Sequence, residues 1–143
     1  MIFEGMACPR PEFPTVAIGE SGRGFDIHND ARLRELTVDL QESIVKFRWT
    51  LKERARMAPS RAELRDRATV AGVTLIFSCI RAIRLVGEWR SEAALGGGEL
   101  DFLEYSPHEG NDGEVRFVFE CGSELVVCAR RCELRIVGSE SAA

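Results

Sequence analysis

The sequence predicts an all-β protein, an antiparallel β-sandwich or small barrel of seven to eight strands with one short surface helix near 61–68. Three observations carry that expectation. Apolar and polar residues alternate in short runs: Leu36, Val38 and Leu40 with Glu35, Thr37 and Asp39; Val45, Phe47, Trp49 and Leu51 with Lys46, Arg48 and Thr50; Val115, Phe117 and Phe119 with Glu114, Arg116 and Glu120. A period of two is that of a strand with one dry face and one wet face. Turn chemistry separates the runs, most clearly at Asn111-Asp112-Gly113, and the strands do not alternate with helical patterns as a parallel sheet requires. A length of 143 residues suits a single core.

The elements follow in order. Residues 1–24 hold Pro9, Pro11 and Pro14 with Gly5, Gly19, Gly22 and Gly24, and read as an irregular arm because proline lacks the amide proton a ladder needs. A single β domain spans 25–138 and a loose tail 139–143. Asp26-Ile27-His28-Asn29-Asp30 is turn chemistry. The first two strands of the domain are expected at 34–40 and 44–52. Even residues of the first and odd residues of the second face inward, and Leu40 lies opposite Val45 across a four-residue loop. Pro59 precedes a capping-box pattern from Ser60 to Glu63, which starts the helix near 61–68; its thin apolar side (Ala62, Leu64, Ala68) puts it on the surface. Val73, Leu75 and Phe77 share inward parity with Ile83 and Leu85, as one long bent strand or two strands meeting at a bulge. Leu100 and Phe102 head a strand that Pro107 ends. The last three strands are expected at 114–121, 125–129 and 132–137, with Arg130-Arg131 as a two-residue turn. This parity buries Cys121 and Cys132 and turns Cys128 outward.

Composition narrows the function. The net charge of −4 argues against a dedicated nucleic-acid binder. No run approaches a membrane span or a signal peptide, so a cytoplasmic protein without membrane attachment is expected. Cys8, Cys79, Cys121, Cys128 and Cys132 form an odd set without a CxxC pair, the mark of reduced thiols used as small hydrophobes. No GxSxG, HExxH, phosphate loop or EF-hand loop is present, and no cofactor or metal site is assigned. The nearest approach to a metal site is Asp26, His28 and Asp30 on alternate residues, with His108 in a second loop; turn formation explains the same residues. Glu99, Asp101 and Glu104 read as solvated charges on a strand.

Charge distribution says more. Residues 46–67 carry eight bases against three acids, and the remainder eleven bases against twenty acids. Such polarity steers association with a charged partner, unless the basic stretch is neutralised within the fold. The expected partner-binding residues are Arg48, Lys52, Arg54, Arg56, Arg61 and Arg65, with Trp89 at a rim, and the expected partner is an acidic protein surface.

The segments FDIHNDARLRELTVDL, VTLIFSCIRAIRL and GEVRFVFECGSELVVCARRCELRI resemble small all-β bacterial immunity proteins that neutralise polymorphic toxins. The shared features are an early loop leading into Leu33, a middle strand from Val73 to Phe77 ending in Ile83 and Leu85, and a closing meander. The resemblance covers about three quarters of the chain and implies inhibition by tight protein binding without catalysis. It carries over no site residues. The leading expectation is therefore a non-enzymatic cytosolic protein-interaction domain of the immunity type. The alternatives are a small-ligand or metal-dependent β-barrel enzyme using Asp26, His28 and Asp30, and a structural subunit whose exposed strands pair with a second copy.

Overall fold

A computed structural model of the chain describes residues 1–5, 15–18, 23–26, 31–51, 70–87, 100–120 and 122–138. Nine strands lie among them: β1 (Ile2–Glu4), β2 (Thr15–Ile18), β3 (Arg23–Asp26), β4 (Ala31–Asp39), β5 (Ile44–Leu51), β6 (Val70–Val86), β7 (Leu100–Pro107), β8 (Gly113–Phe119) and β9 (Glu124–Gly138). The described residues include no helix. The helix expected near 61–68 lies outside them.

One antiparallel sheet runs in the order β4-β5-β6-β9-β8-β7, with β1 added in parallel to β9 and β2-β3 forming a separate pair. Neighbouring strands sit about 4.8 Å apart, so a flat sheet would hold β5 and β8, three lanes apart, about 14 Å from each other. Yet the rings of Phe47 on β5 and Phe117 on β8 stack with centroids 4.7 Å apart, and Trp49 stacks on Phe119 at 6.3 Å. The sheet is therefore rolled into a half-barrel whose concave face is filled with rings. Phe77 meets Phe47 and Phe117 edge-on at 5.5 and 6.1 Å. The expected all-β antiparallel class holds. Among the described residues no pairing joins β4 to β7, so there the curled sheet is not closed into a barrel.

The curl has a local cause in β6 and β9. Phe77 faces in and Ile80 packs against the core, so the parity of β6 shifts across Cys79, whose φ is +55°. A register shift follows between Ile80 and Ala82. Opposite, Ala129 and Cys132 are both buried, so β9 shifts parity across Arg130 and Arg131. An irregularity of this kind bends a strand and increases its twist. β6 is thus the single long bent strand that its sequence allowed. β9 is also a single strand, whereas two strands and a turn at Arg130-Arg131 were expected. A two-residue hairpin needs φ above zero, which Asn and Gly supply and Arg resists, so the chain runs on along β6.

Two further differences matter. β4 and β5 pair with Val38 opposite Val45 and Asp39 opposite Ile44, two residues from the expected register. A shift of two keeps each strand's facing, but it moves Leu40 into the hairpin loop, where it is 87% exposed. The loop closes with the Asp39 carboxylate accepting the Glu42 N–H at 3.0 Å. A register shift between Leu33 and Glu35 lets Ala31 and Leu33 reach the core from odd positions. Within the stretch expected as an irregular arm, β1 pairs with β9 and β2 with the start of β3. No helix of the described residues is long and apolar enough to cross a membrane.

Truncating a ring at the fulcrum should be costly. Phe117→Ala is expected to lower unfolding free energy by about 3–5 kcal/mol, while Leu40→Ala changes it by less than about 0.5 kcal/mol. Urea unfolding followed by tryptophan fluorescence checks both.

Candidate functional site

Three places on the described surface carry chemistry or exposed apolar area. The first is the convex face of β4, β5, β6, β9 and β1, which holds the strand end of the expected basic patch. Of its residues, Arg48 is described: it is exposed on β5 and pairs with Glu35 on β4 at 3.2 Å. Lys52, Arg54, Arg56, Arg61, Arg65 and Trp89 lie outside the described residues. Around Arg48 the bases are mostly engaged. Arg34 Nε donates to Thr50 Oγ1 at 2.9 Å, Arg131 pairs with Glu4, and Arg135 pairs with Glu133 at 2.9 Å. Hydrogen bonding from Arg135 holds the Glu133 carboxyl below its ordinary pKa. This part of the basic face holds exposed ion pairs, Arg48–Glu35 and Arg131–Glu4 across strands and Arg135–Glu133 along β9, each worth little to stability.

The second place lies on the outside of the β7–β8 hairpin. Cys128 points outward from β9, as its parity requires, and its Sγ is 3.7 Å from His108 Nδ1. Asp112, in the hairpin loop, has Arg81 Nε at 3.3 Å and Arg130 Nε at 3.5 Å. Arg84 pairs with Glu114 at 3.7 Å. A thiol beside an imidazole is the raw material of a nucleophilic dyad, but the thiolate is the reactive form. Here partial burial raises the Cys128 pKa first, and Asp112 and Glu114 raise it further against the opposing pull of Arg81. The thiol is held protonated at neutral pH, opposite to what a nucleophile needs. Among the described residues no group of three or more His, Cys, Asp or Glu is arranged to hold a metal ion. Asp26 ends β3, while His28 and Asp30 lie outside the described residues.

The third place is apolar and was missed. Where the β4–β5 hairpin meets the bend of β6, a mainly apolar recess of about 180 Å³ is lined by Val38, Leu40, Ile44 and Ile83, with Asp39 and Ser43 as its polar members. Val38 (43% exposed) and Leu40 extend its apolar surface into water, and Leu85, farther along β6, is 56% exposed. The sequence reading put all three on the dry face. The available signal was the polar Gln41-Glu42-Ser43 stretch, which suits a loop beginning at Leu40 as well as one beginning at Gln41.

The chain was compared with family models, with curated proteins and with solved structures, and none matched. The site is therefore read from its own residues.

The three described thiols should differ in reactivity. Cys79 is exposed, Cys128 half-buried and Cys132 buried, with burial pushing the Cys132 thiol far up. Iodoacetamide at pH 8, read residue by residue by mass spectrometry, is expected to label Cys79 first, Cys128 more slowly and Cys132 only through unfolding. Cys128 should gain rate as pH climbs above the ordinary thiol range. Asp112→Asn removes a charge that raises its pKa and should speed its labelling severalfold at fixed pH; an unchanged rate would contradict the electrostatic account.

Proposed function

We propose that the chain is a non-enzymatic protein-interaction domain whose contact surface is the apolar end formed by the β4–β5 hairpin and the distal part of β6. The observation that carries this reading is Leu40, held 87% exposed at a hairpin tip beside exposed Val38 and a mainly apolar recess. Water-exposed apolar side chains gathered around a recess are the usual mark of a contact surface. The filled interior supports the same view: Trp49, Phe47, Phe77, Phe117 and Phe119 are almost wholly buried and occupy the concave face, where a ligand-binding barrel keeps its cavity. Among the described residues, the raised pKa of Cys128 works against a nucleophile there, and Arg48 on the convex face is paired with Glu35. An immunity-type inhibitor, which the sequence resemblance suggested, is one form of such a domain. The free thiols of Cys79, Cys128 and Cys132 suit the reducing cytosol in which it would act.

A displayed peptide library panned on the protein tests the proposal. Selected peptides are expected to bind the parent and to lose at least about tenfold in affinity on Leu40→Glu, with the circular dichroism of the variant unchanged. Peptides that bind the variant equally well would remove this end of the molecule as the contact surface.

A further inference from the structure

The recess at the β4–β5 hairpin has a charge built into its lining. Val38, Leu40, Ile44 and Ile83 supply apolar walls, and Asp39 lines the same space. Asp39 Oδ1 accepts the Glu42 N–H at 3.0 Å, which fixes the carboxylate at the turn. An ionised carboxylate has about four acceptor positions, so this one bond leaves Asp39 able to take further donors.

Asp39 and Glu42 differ from most carboxylates of the described surface, which are matched by bases. Glu35 has Arg48, Glu114 has Arg84, Glu133 has Arg135, and Asp112 has both Arg81 and Arg130. Asp39 and Glu42 are both exposed, and among the described residues no base forms an ion pair with either. Lys46 lines a second depression together with Thr37, Asp39, Glu42 and Ile44, yet it too makes no ion pair with these acids. The hairpin end thus carries two acids against one base. Arg81 and Arg84, the bases of distal β6, turn across β9 toward Asp112 and Glu114 and leave this end uncompensated.

Size and charge together define an occupant. Pockets that hold a whole small-molecule ligand run from roughly 300 Å³ upward, and a recess of about 180 Å³ has room for a single side chain. Whatever fills it also covers part of the Asp39 carboxylate. An apolar side chain would strip water from that charge without compensation, and an acidic one would add repulsion. A side chain with an aliphatic stem and a cationic end satisfies both parts of the lining.

Resting on the interaction reading above, we propose that the recess receives one long basic side chain, lysine or arginine, from a partner protein whose apolar surface meets Leu40. The stem packs against Leu40, Ile44 and Ile83, and the charged end lies at Asp39, with Glu42 adding to the attraction. The net charge of −4 favours a basic partner over a second copy of this chain.

Three small probes at neutral pH test the chemistry of the recess by amide and methyl NMR titration: n-pentylamine, n-pentanol and pentanoate, which share one stem and differ in charge. Pentylamine is expected to shift signals of Leu40, Ile44 and Ile83 and to bind about fivefold tighter than pentanol, with pentanoate weakest. Asp39→Asn keeps an oxygen to accept the Glu42 N–H and should bring pentylamine down to the level of pentanol, while Glu109→Gln, in another loop, should leave the difference intact. Equal binding of pentylamine and pentanol, a preference that survives Asp39→Asn, or no shift within 38–44 and 80–83 would each overturn the proposal. The library-selected peptides separate it from the reading on which it rests. Those that bind through Leu40 should carry a lysine or arginine whose replacement by norleucine costs about fivefold in affinity. Peptides that bind through Leu40 without a base would sink this inference alone, and peptides indifferent to Leu40→Glu would sink both. A dimer mass that grows with protein concentration and is lost on Asp39→Asn would give the recess to a second copy and overturn the separate partner.

Discussion

The stacking of Phe47 on Phe117 is the contact on which the remaining architecture depends. These rings belong to strands three lanes apart, and they touch because β6 and β9 bend together between them. Among the described residues, each half of the sheet covers its apolar face against the other. The β4–β5 half presents Val45, Phe47 and Trp49; the β7–β8 half presents Leu103, Tyr105, Val115, Phe117 and Phe119. Rolling one against the other buries both sets at once. The large ring areas supply much of the driving force, and the stacked and edge-on geometries add to it. The indole of Trp49 illustrates the priority: among the described residues its Nε1 has no hydrogen-bond partner, so Trp49 serves by its ring area and bears the desolvation of one N–H.

The same rolling decides where function can reside. A concave face filled with phenylalanine and tryptophan leaves its middle to packing, and the convex face is occupied by cross-strand ion pairs such as Arg48–Glu35 and the Arg116–Glu104–Glu124 group. Hydrogen bonds donated to both carboxylates, that to Glu124 foremost, keep the Arg116 guanidinium above its already high pKa, so this group ties β7, β8 and β9 together. What remains is the end of the roll, where β6 outruns β5 and a hairpin tip holds Leu40 in water. Structural economy and contact surface thus share one origin: the bend that closes the core also carries β6 beyond its pairing with β5.

Much of the fold was legible in side-chain rhythm. Val45, Phe47 and Trp49, or Val115, Phe117 and Phe119, state their strand and their facing without help from the rest of the chain, because a pleat has period two. Facing survived even where register did not: β4 and β5 pair two residues away from the expected alignment, and Val38 still lies on the same side as Val45. What rhythm cannot encode is where a strand stops or bends. Leu40 keeps the alternation yet sits beyond the last pair, and Arg130-Arg131 looks like a turn because parity changes there, although β9 keeps its pairing with β6 on both sides, Arg131 with Ser78 and Ala129 with Ile80. β1, β2 and β3 were hidden because they are three or four residues long, too short for alternation to register. The candidate surface was illegible for a related reason. The charges of Arg48 and its neighbours can be counted from sequence, but their neutralisation depends on cross-strand register. The exposure of Leu85 depends on β5 ending several residues earlier, which no local pattern around Leu85 records.

The central claim is that one sheet rolls far enough for β5 to lie against β8. Nuclear Overhauser contacts between selectively labelled Phe47 and Phe117 rings, and between the Trp49 indole and Phe119, test it most directly. The account predicts strong cross-peaks for both pairs in the folded protein, as centroid separations of 4.7 and 6.3 Å require. Their absence, with Phe47 showing contacts only to its ladder neighbours Leu36 and Leu75, would mean that the sheet does not roll in this way and would contradict the account.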